Sequence, residues 1–238
     1  MLVHHLLDSQ AQSTNTLLKS GADIGAKIDT GGWGRSSGKT PLMWAAGKNA
    51  RPEAIETLLA AGADSMARNK HGNTPLGEAA FGNSNPRVIQ ILLKAGADIG
   101  YRDISGSTPL GNAAKRNSNP KIIETLLEAG ADLEARDNLG NTPLMEASEY
   151  NSNPEVIETL LKAGSDIEAR DGGGRTPLML AVGWSSTLRV IEALLKAGAN
   201  AKKKDQKGRT VADFAKHPTN LISKDVLEVL ERTKSWPS

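Results

Sequence analysis

The chain has no cysteine, which excludes disulfides, thiolate metal sites and cysteine nucleophiles while leaving the redox compartment open. Aromatic residues make up only 3% of the 238 positions, so a core here has to be built from Ala, Leu and Ile. No stretch approaches the roughly 20 consecutive apolar residues that a bilayer span needs. Residues 1–20 hold a short apolar patch without the basic start and long apolar run of a secretory leader, so a soluble, cytoplasmic chain with no membrane partner is expected. The 29 basic and 27 acidic side chains leave a formal net charge of +2, too little for the global field that draws nucleic acid, and none is expected as a partner. The histidines, His4, His5, His71 and His217, show no spacing that gathers two of them beside a recurring carboxylate. They read as arm or cap residues, and neither metal nor cofactor is expected. Nor does any nucleophile elbow accompany the serines and acids, so the chain is not expected to be an enzyme.

What the chain does have is a period. Thr-Pro-Leu recurs at Thr40, Thr74, Thr108, Thr142 and Thr176, with a weaker echo at Thr210, each 34 residues after the last. A fixed period of this length means stacked structural units. Within a unit every constant residue has a local reason. The Thr is a natural N-cap, and the Pro after it suits the first helical position, where its missing N–H would have no intrahelical partner. Five residues after the Thr stands Ala45, Ala79, Ala113, Ala147 or Ala181, small enough for neighbouring helices to approach.

A second helix is predicted after Asn-Ser-Asn-Pro at 83–86, 117–120 and 151–154, with Asn as cap and Pro as first residue. Its apolar stripe is Ile157, Leu160 and Leu161, with Ile55, Ile89, Ile123 and Ile191 as counterparts of the first. The helix should close at Gly62, Gly96, Gly130, Gly164 and Gly198 in left-handed conformation. A second set, Gly72, Gly106, Gly140, Gly174 and Gly208, marks a hairpin-like turn in an arm leading to the next Thr.

The Thr-Pro-Leu start, the paired leucines, Gly-Ala-Asp and the Asp-x-x-Gly arm closely resemble the ankyrin repeat, over nearly the whole chain and in five full copies. The resemblance implies an all-α solenoid of helix-turn-helix units with hairpin-like arms. Two departures are consistent. Ankyrin units usually run ~33 residues, whereas these carry one more, in the loop between the helices. The position after Pro-Leu, commonly His in the family, is Met43, Gly77, Gly111, Met145 or Met179.

The expected organisation is a single domain over 1–238. Residues 1–39 form a worn first unit, with polar Ser13 and Thr14 where later units have Val and Ile. Full units span 40–73, 74–107, 108–141, 142–175 and 176–209, and 210–238 closes the stack. With ~8–10 Å between helix pairs, six steps give a surface of roughly 50–60 Å. Thr40 follows Gly21 by 19 positions where Thr74 follows Gly62 by 12, so the first arm holds a seven-residue insertion. That Gly-rich arm, 31–40, ends in Gly38-Lys39-Thr40 like a phosphate-binding loop, but Trp33 stands where such a loop needs Gly and no apolar strand precedes it. It reads as a hairpin arm, with phosphate or nucleotide binding as the alternative. Charge is uneven: 142–175 has seven acids and three bases, net −4, and 176–209 has two acids and seven bases, net +5. The basic arm 202–209 reads as solvated, with docking of acidic partners as a further alternative.

Because folding explains the constant positions, function is sought in those that vary. The resemblance implies that partners lie on the concave side, against the arm tips and the exposed side of each first helix. Four residues after each Thr this gives Trp44, Glu78, Asn112, Glu146 and Leu180. Seven and eight residues after, it gives Lys48, Phe81, Lys115, Arg116, Glu149, Tyr150 and Trp184. At the arm tips it gives Lys70, His71, Ile104 and Leu139. Four of the eight aromatics fall in this set, and aromatics carry much interface energy, so they read as anchors rather than fillers between first helices. The expected function is a non-catalytic scaffold, a monomer that binds a protein partner along this groove.

Overall fold

Thr followed by Pro solves two problems of a helix start at once, and the computed structural model opens a helix at every such pair. Thr74, extended at φ −95° and ψ 169°, accepts the Gly77 amide on its hydroxyl, and Thr40, Thr108 and Thr142 do the same three residues on. The structure describes residues 21, 23–27, 38–48, 51–184, 187–216 and 223–233, which form twelve helices. These are α1 (Pro41–Gly47), α2 (Pro52–Ala60), α3 (Pro75–Gly82), α4 (Pro86–Lys94), α5 (Pro109–Arg116) and α6 (Pro120–Glu128). The second half continues with α7 (Pro143–Tyr150), α8 (Pro154–Lys162), α9 (Pro177–Trp184), α10 (Leu188–Lys196), α11 (Val211–Ala215) and α12 (Ser223–Thr233). Most of the expected first unit, and residues 31–37 of the Gly-rich arm, lie outside the described residues.

Odd-numbered helices pack on odd and even on even, so the pairs stack in one direction as an all-α solenoid. One core runs through the stack. Leu42, Leu76, Leu110, Leu144 and Leu178 of the first helices are at most 1% exposed, and so are Ile55, Ile89, Ile123, Ile157 and Ile191 of the second. The expected stripe of the second helix is buried in large part and gains a residue. Val156, Ile157 and Leu160 are fully buried, whereas Leu161 is only partly covered. At the far end Val226 and Val229 of α12 face the stack, and Lys224, Asp225, Glu228 and Glu231 are exposed.

The extra residue in the loop between helices has a structural use that the sequence did not disclose. The second Asn of each Asn-Ser-Asn-Pro is the predicted cap: Asn85, Asn119 and Asn153 accept the amide two residues on. The first Asn crosses to the preceding unit. Asn83 Nδ2 donates to the Ala46 carbonyl at 2.8 Å, Asn117 Nδ2 to those of Ala80 at 2.9 Å and Asn83 at 2.8 Å, and Asn151 Nδ2 to those of Ala114 at 2.8 Å and Asn117 at 3.0 Å. The alanine carbonyls lie in the last turn of a helix, where the intrahelical partner is missing. A buried amide ladder therefore ties α1, α3 and α5 each to the next unit.

The arms are tied by a second ladder. The Ile104 amide donates to the His71 carbonyl, Asn138 to Ser105, Gly172 to Leu139 and Gln206 to Gly173, at 2.9 to 3.1 Å. Inside each arm an Asx side chain closes the turn: Asp137 Oδ1 accepts the amides of Leu139 and Asn141, and Asp103, Asp171 and Asp205 repeat the pattern. Arg136 Nη1 reaches the Gly140 carbonyl of its own arm at 2.7 Å and the Arg170 carbonyl of the next at 2.6 Å; Arg102 and Arg170 do likewise.

One departure after Pro-Leu is explained by a single neighbour. Tyr101, 2% exposed, lies against Gly77 with its hydroxyl donating to Asn73 Oδ1 at 3.0 Å, and a Cβ on Gly77 would come within 1.7 Å of that hydroxyl oxygen.

Urea denaturation of three single variants tests these contacts. Asn117→Ala strips the Ala80 and Asn83 carbonyls of their buried donor and is expected to cost about 1–3 kcal/mol for each. Asn119→Ala, at the more exposed cap, is expected to cost only about 1 kcal/mol, so equal losses would remove the ladder from its structural role. Gly77→Ala would ordinarily favour a helix by about 1 kcal/mol but should destabilise this one by about 1–3 kcal/mol through overpacking. Adding Tyr101→Phe should recover part of that loss.

Candidate partner-binding surface

In three units first helix and arm are held together by a contact between the residue four after the Thr and the Asx of the arm before it. That packing corrects the expected site. Glu78, Asn112, Glu146 and Leu180 are 8%, 7%, 3% and 0% exposed, so these four are turned into the structure. Glu78 Oε1 accepts from Asn69 Nδ2 at 2.9 Å and Asn112 Nδ2 donates to Asp103 Oδ2 at 3.4 Å. Leu180 packs with Met145 and Ala169. Trp44, the fifth, is half-buried beneath the ammonium groups of Lys39 at 5.4 Å and Lys48 at 5.8 Å. The side of a short helix that faces its own arm is a packing surface, and only its C-terminal end projects beyond the arm.

The other expected residues reach that end or the arm tips. Tyr150 and Trp184 close α7 and α9 and are 46% and 51% exposed; Lys48 and Arg116 at equivalent places are exposed too. Ile104 and Leu139 stand out from adjacent arms at 62% and 66% exposure, and Lys70 is exposed beside half-buried His71. Phe81, Lys115 and Glu149 are half-buried.

Four ion pairs run along this face: Lys39–Glu78 at 2.6 Å, Lys115–Glu146 at 2.9 Å, Arg175–Asp171 at 2.6 Å and Arg209–Asp205 at 2.7 Å. All four cations also cover rings, Lys39 that of Trp44 as above, Lys115 that of Tyr150 at 4.2 Å, Arg175 that of Trp184 at 5.0 Å and Arg209 that of Phe214 at 4.5 Å. Trp184 and Phe214 are themselves neighbours, 5.9 Å between centroids. Lys39, Arg175, Arg209 and Phe214 were not among the expected residues. Their signal was available, since Lys39, Arg175 and Arg209 stand immediately before Thr40, Thr176 and Thr210, where the other units have Asn or Ser.

The ends of the chain's other motifs are occupied by folding contacts. Within the described part of the phosphate-loop-like sequence, 38–40, Lys39 serves the Glu78 ion pair and Thr40 the α1 cap. In the basic arm Lys203 lies 3.6 Å from Glu168 and the Lys204 carbonyl accepts from Arg170, while the side chains of Lys202, Lys204 and Lys207 are exposed. His4, His5 and His217 lie outside the described residues. Among the described residues no three His, Asp or Glu side chains converge as a metal site requires, and no helix is long and apolar enough to cross a membrane.

Glu146 differs from its counterparts because it meets a second carboxylate, Asp137. Burial raises its carboxyl most, Lys115 lowers it, and the hydrogen bond and charge of Asp137 raise it again, which together leave it at about 7. Burial, with Glu149 beside it, likewise raises the Tyr150 phenol above its ordinary value.

The folded chain therefore holds a proton on Glu146 that the unfolded chain releases near pH 4.5. Stability should fall as pH rises from there to about 7 and then level off, by on the order of 1–3 kcal/mol in all. Glu146→Gln should flatten that slope and melt above the unmodified chain at about pH 8. Melting curves across this range check both, and a slope unchanged by the substitution would place the titration elsewhere.

A family model described as ankyrin repeats, in three copies, matches residues 7–103, 80–171 and 110–206. No curated protein matches the sequence. Among solved structures, the crystal structure of the human ASB11 ankyrin repeat domain superposes with a TM-score of 0.77 at 21% identity, over 100% of this chain and 99% of that one, and shares its fold. Since the three matches together span 7–206, most of the length, the chain belongs to the ankyrin-repeat family.

Proposed function

We propose that this chain is a non-catalytic binding protein that holds a protein partner along the groove between its arm tips and the C-terminal ends of its first helices. Ankyrin repeats are generally protein–protein interaction modules, and one observation supports this particular surface. Five large hydrophobic side chains are exposed among the described residues, and four of them, Ile104, Leu139, Tyr150 and Trp184, belong to it; the fifth, Met66, lies in the turn after α2. Exposed apolar groups gathered on one face mark interaction sites, whereas scattered ones need no explanation. The side chains are also held without being covered. Tyr150 lies under the Lys115 ammonium and Trp184 between Arg175 and Phe214, so little side-chain entropy remains to be lost on binding.

The binding set proposed here keeps Lys48, Lys70, His71, Phe81, Ile104, Lys115, Arg116, Leu139, Glu149, Tyr150 and Trp184, with Trp44 at its edge. Glu78, Asn112, Glu146 and Leu180 act beneath it by holding helix to arm.

Partner capture identified by mass spectrometry, followed by affinity and melting measurements on single variants, tests the reading. Tyr150→Ala and Trp184→Ala should each weaken binding by ~2 kcal/mol or more at a true hot spot while melting changes little. Leu180→Ala, in the fully buried set, should instead cost about 2–5 kcal/mol of stability, with any affinity loss following unfolding. Full affinity in the Tyr150→Ala/Trp184→Ala double variant would sink the groove as the binding surface.

A further inference from the structure

We propose that the partner segment is acidic: an extended peptide presenting Asp or Glu side chains along the stack, with apolar residues between them. The inference rests on the proposed groove and adds the chemistry of its occupant.

The ion pairs are layered, and the layering has one direction. Side-chain exposures of cation and acid are 13% and 9% for Lys39–Glu78, 30% and 4% for Lys115–Glu146, 25% and 0% for Arg175–Asp171, and 44% and 1% for Arg209–Asp205. In the last three the acid lies underneath and the base reaches water, whereas Lys39 and Glu78 are both largely buried. Ion pairs on the second helices have no such order: Arg87–Glu56 is 58% and 48% exposed, and Lys121–Glu124 is 55% and 43%. The near-neutral total charge therefore conceals a face whose outer layer is cationic. Lys48 and Arg116 add to that layer from the helix ends and Lys207 from an arm tip, whereas Glu149, half-buried, is its main counterweight on the helices.

A buried acid neutralises the charge of its cation at a distance but does not use up its donors. Arg175 gives Nε to Asp171 Oδ2 at 2.6 Å, and the Lys115 ammonium, with three hydrogens, lies 2.9 Å from Glu146 Oε2. The ring beneath each cation fixes its position, and a carboxylate arriving from solvent meets a charge already oriented. Between these points stand Leu139, Tyr150 and Trp184, apolar and exposed. With ~8–10 Å between helix pairs and ~3.3 Å per residue in an extended chain, about one acidic side chain in every three residues matches the repeat. Nucleic acid fits this less well, because buried carboxyl groups back the layer and its long-range field is weak.

The probe is a synthetic twelve-residue peptide of repeated Glu-Leu-Ser, with Gln-Leu-Ser and Lys-Leu-Ser peptides of equal length as controls. Fluorescence anisotropy with the full chain should show binding of the Glu peptide that weakens as salt rises from about 50 to about 300 mM, and at least about tenfold weaker binding of the Gln peptide. The Lys48→Glu/Arg116→Glu double variant, which alters exposed side chains outside the four ion pairs, should reduce binding of the Glu peptide about tenfold with melting unchanged. Equal binding of Glu and Gln peptides, no binding of the Glu peptide up to about 1 mM, or tighter binding of a duplex oligonucleotide would each overturn the inference. The two readings fail separately. An identified partner weakened by Tyr150→Ala/Trp184→Ala but not by the charge reversal removes the acidic partner and leaves the groove, and one weakened by neither removes both.

Discussion

In α1, α3 and α5 an alanine carbonyl near the C-terminal end lacks an intrahelical partner, and the next unit supplies one. Asn83, Asn117 and Asn151 do so from inside the stack, each reaching the alanine carbonyl of the preceding first helix. Buried polar groups must be paired or the fold loses the desolvation cost of each. A unit is therefore incomplete until its neighbour is in place, and stability lies in the joint as much as in the unit. In three of the loops the extra residue belongs to this arrangement, since they hold one asparagine for the neighbour and a second to cap the helix that follows.

The arms obey the same rule from the other side. Their backbones pair from one unit to the next, the Asx side chains close each turn, and Arg102, Arg136 and Arg170 each bind a carbonyl of the following arm. With both edges tied, the spacing between first-helix ends is set by the frame and not by the residues placed there. Those residues can vary without cost to folding, so Lys48, Arg116, Tyr150 and Trp184 occupy equivalent places with different chemistry. The position four after Thr varies for a different reason. It must complement an arm side chain, and Glu78 with Asn69, Asn112 with Asp103 and Glu146 with Asp137 are three solutions to that problem, the last of which retains a proton.

The repeat, the caps and the closing glycines were legible because each is a local matter. A Thr-Pro start or a left-handed Gly, such as Gly130 at φ +92°, is dictated by dihedral angles and backbone donors within a few residues. The candidate surface was legible only in part. Counting from each Thr located the exposed helix ends and arm tips, where Tyr150, Trp184, Ile104 and Leu139 stand, but placed Glu78, Asn112, Glu146 and Leu180 on the surface when all four are buried. A helical period says which residues share a side of a helix. It does not say which side the arm will cover.

By itself, then, the sequence determined the unit: its helices, their starts and stops, the number of copies and the near-neutral balance of charge, all properties of neighbours along the chain. Only the tertiary structure decided which member of each opposite pair faces water. Lys39 and Glu78 are 39 positions apart and Lys115 and Glu146 are 31 apart, so their layering follows from stacking one unit on the next. The same holds for Tyr101 entering the space beside Gly77, and for the asparagines that cross between units. Burial and desolvation depend on what lies opposite in space, and in a solenoid that is always a residue from the adjacent unit.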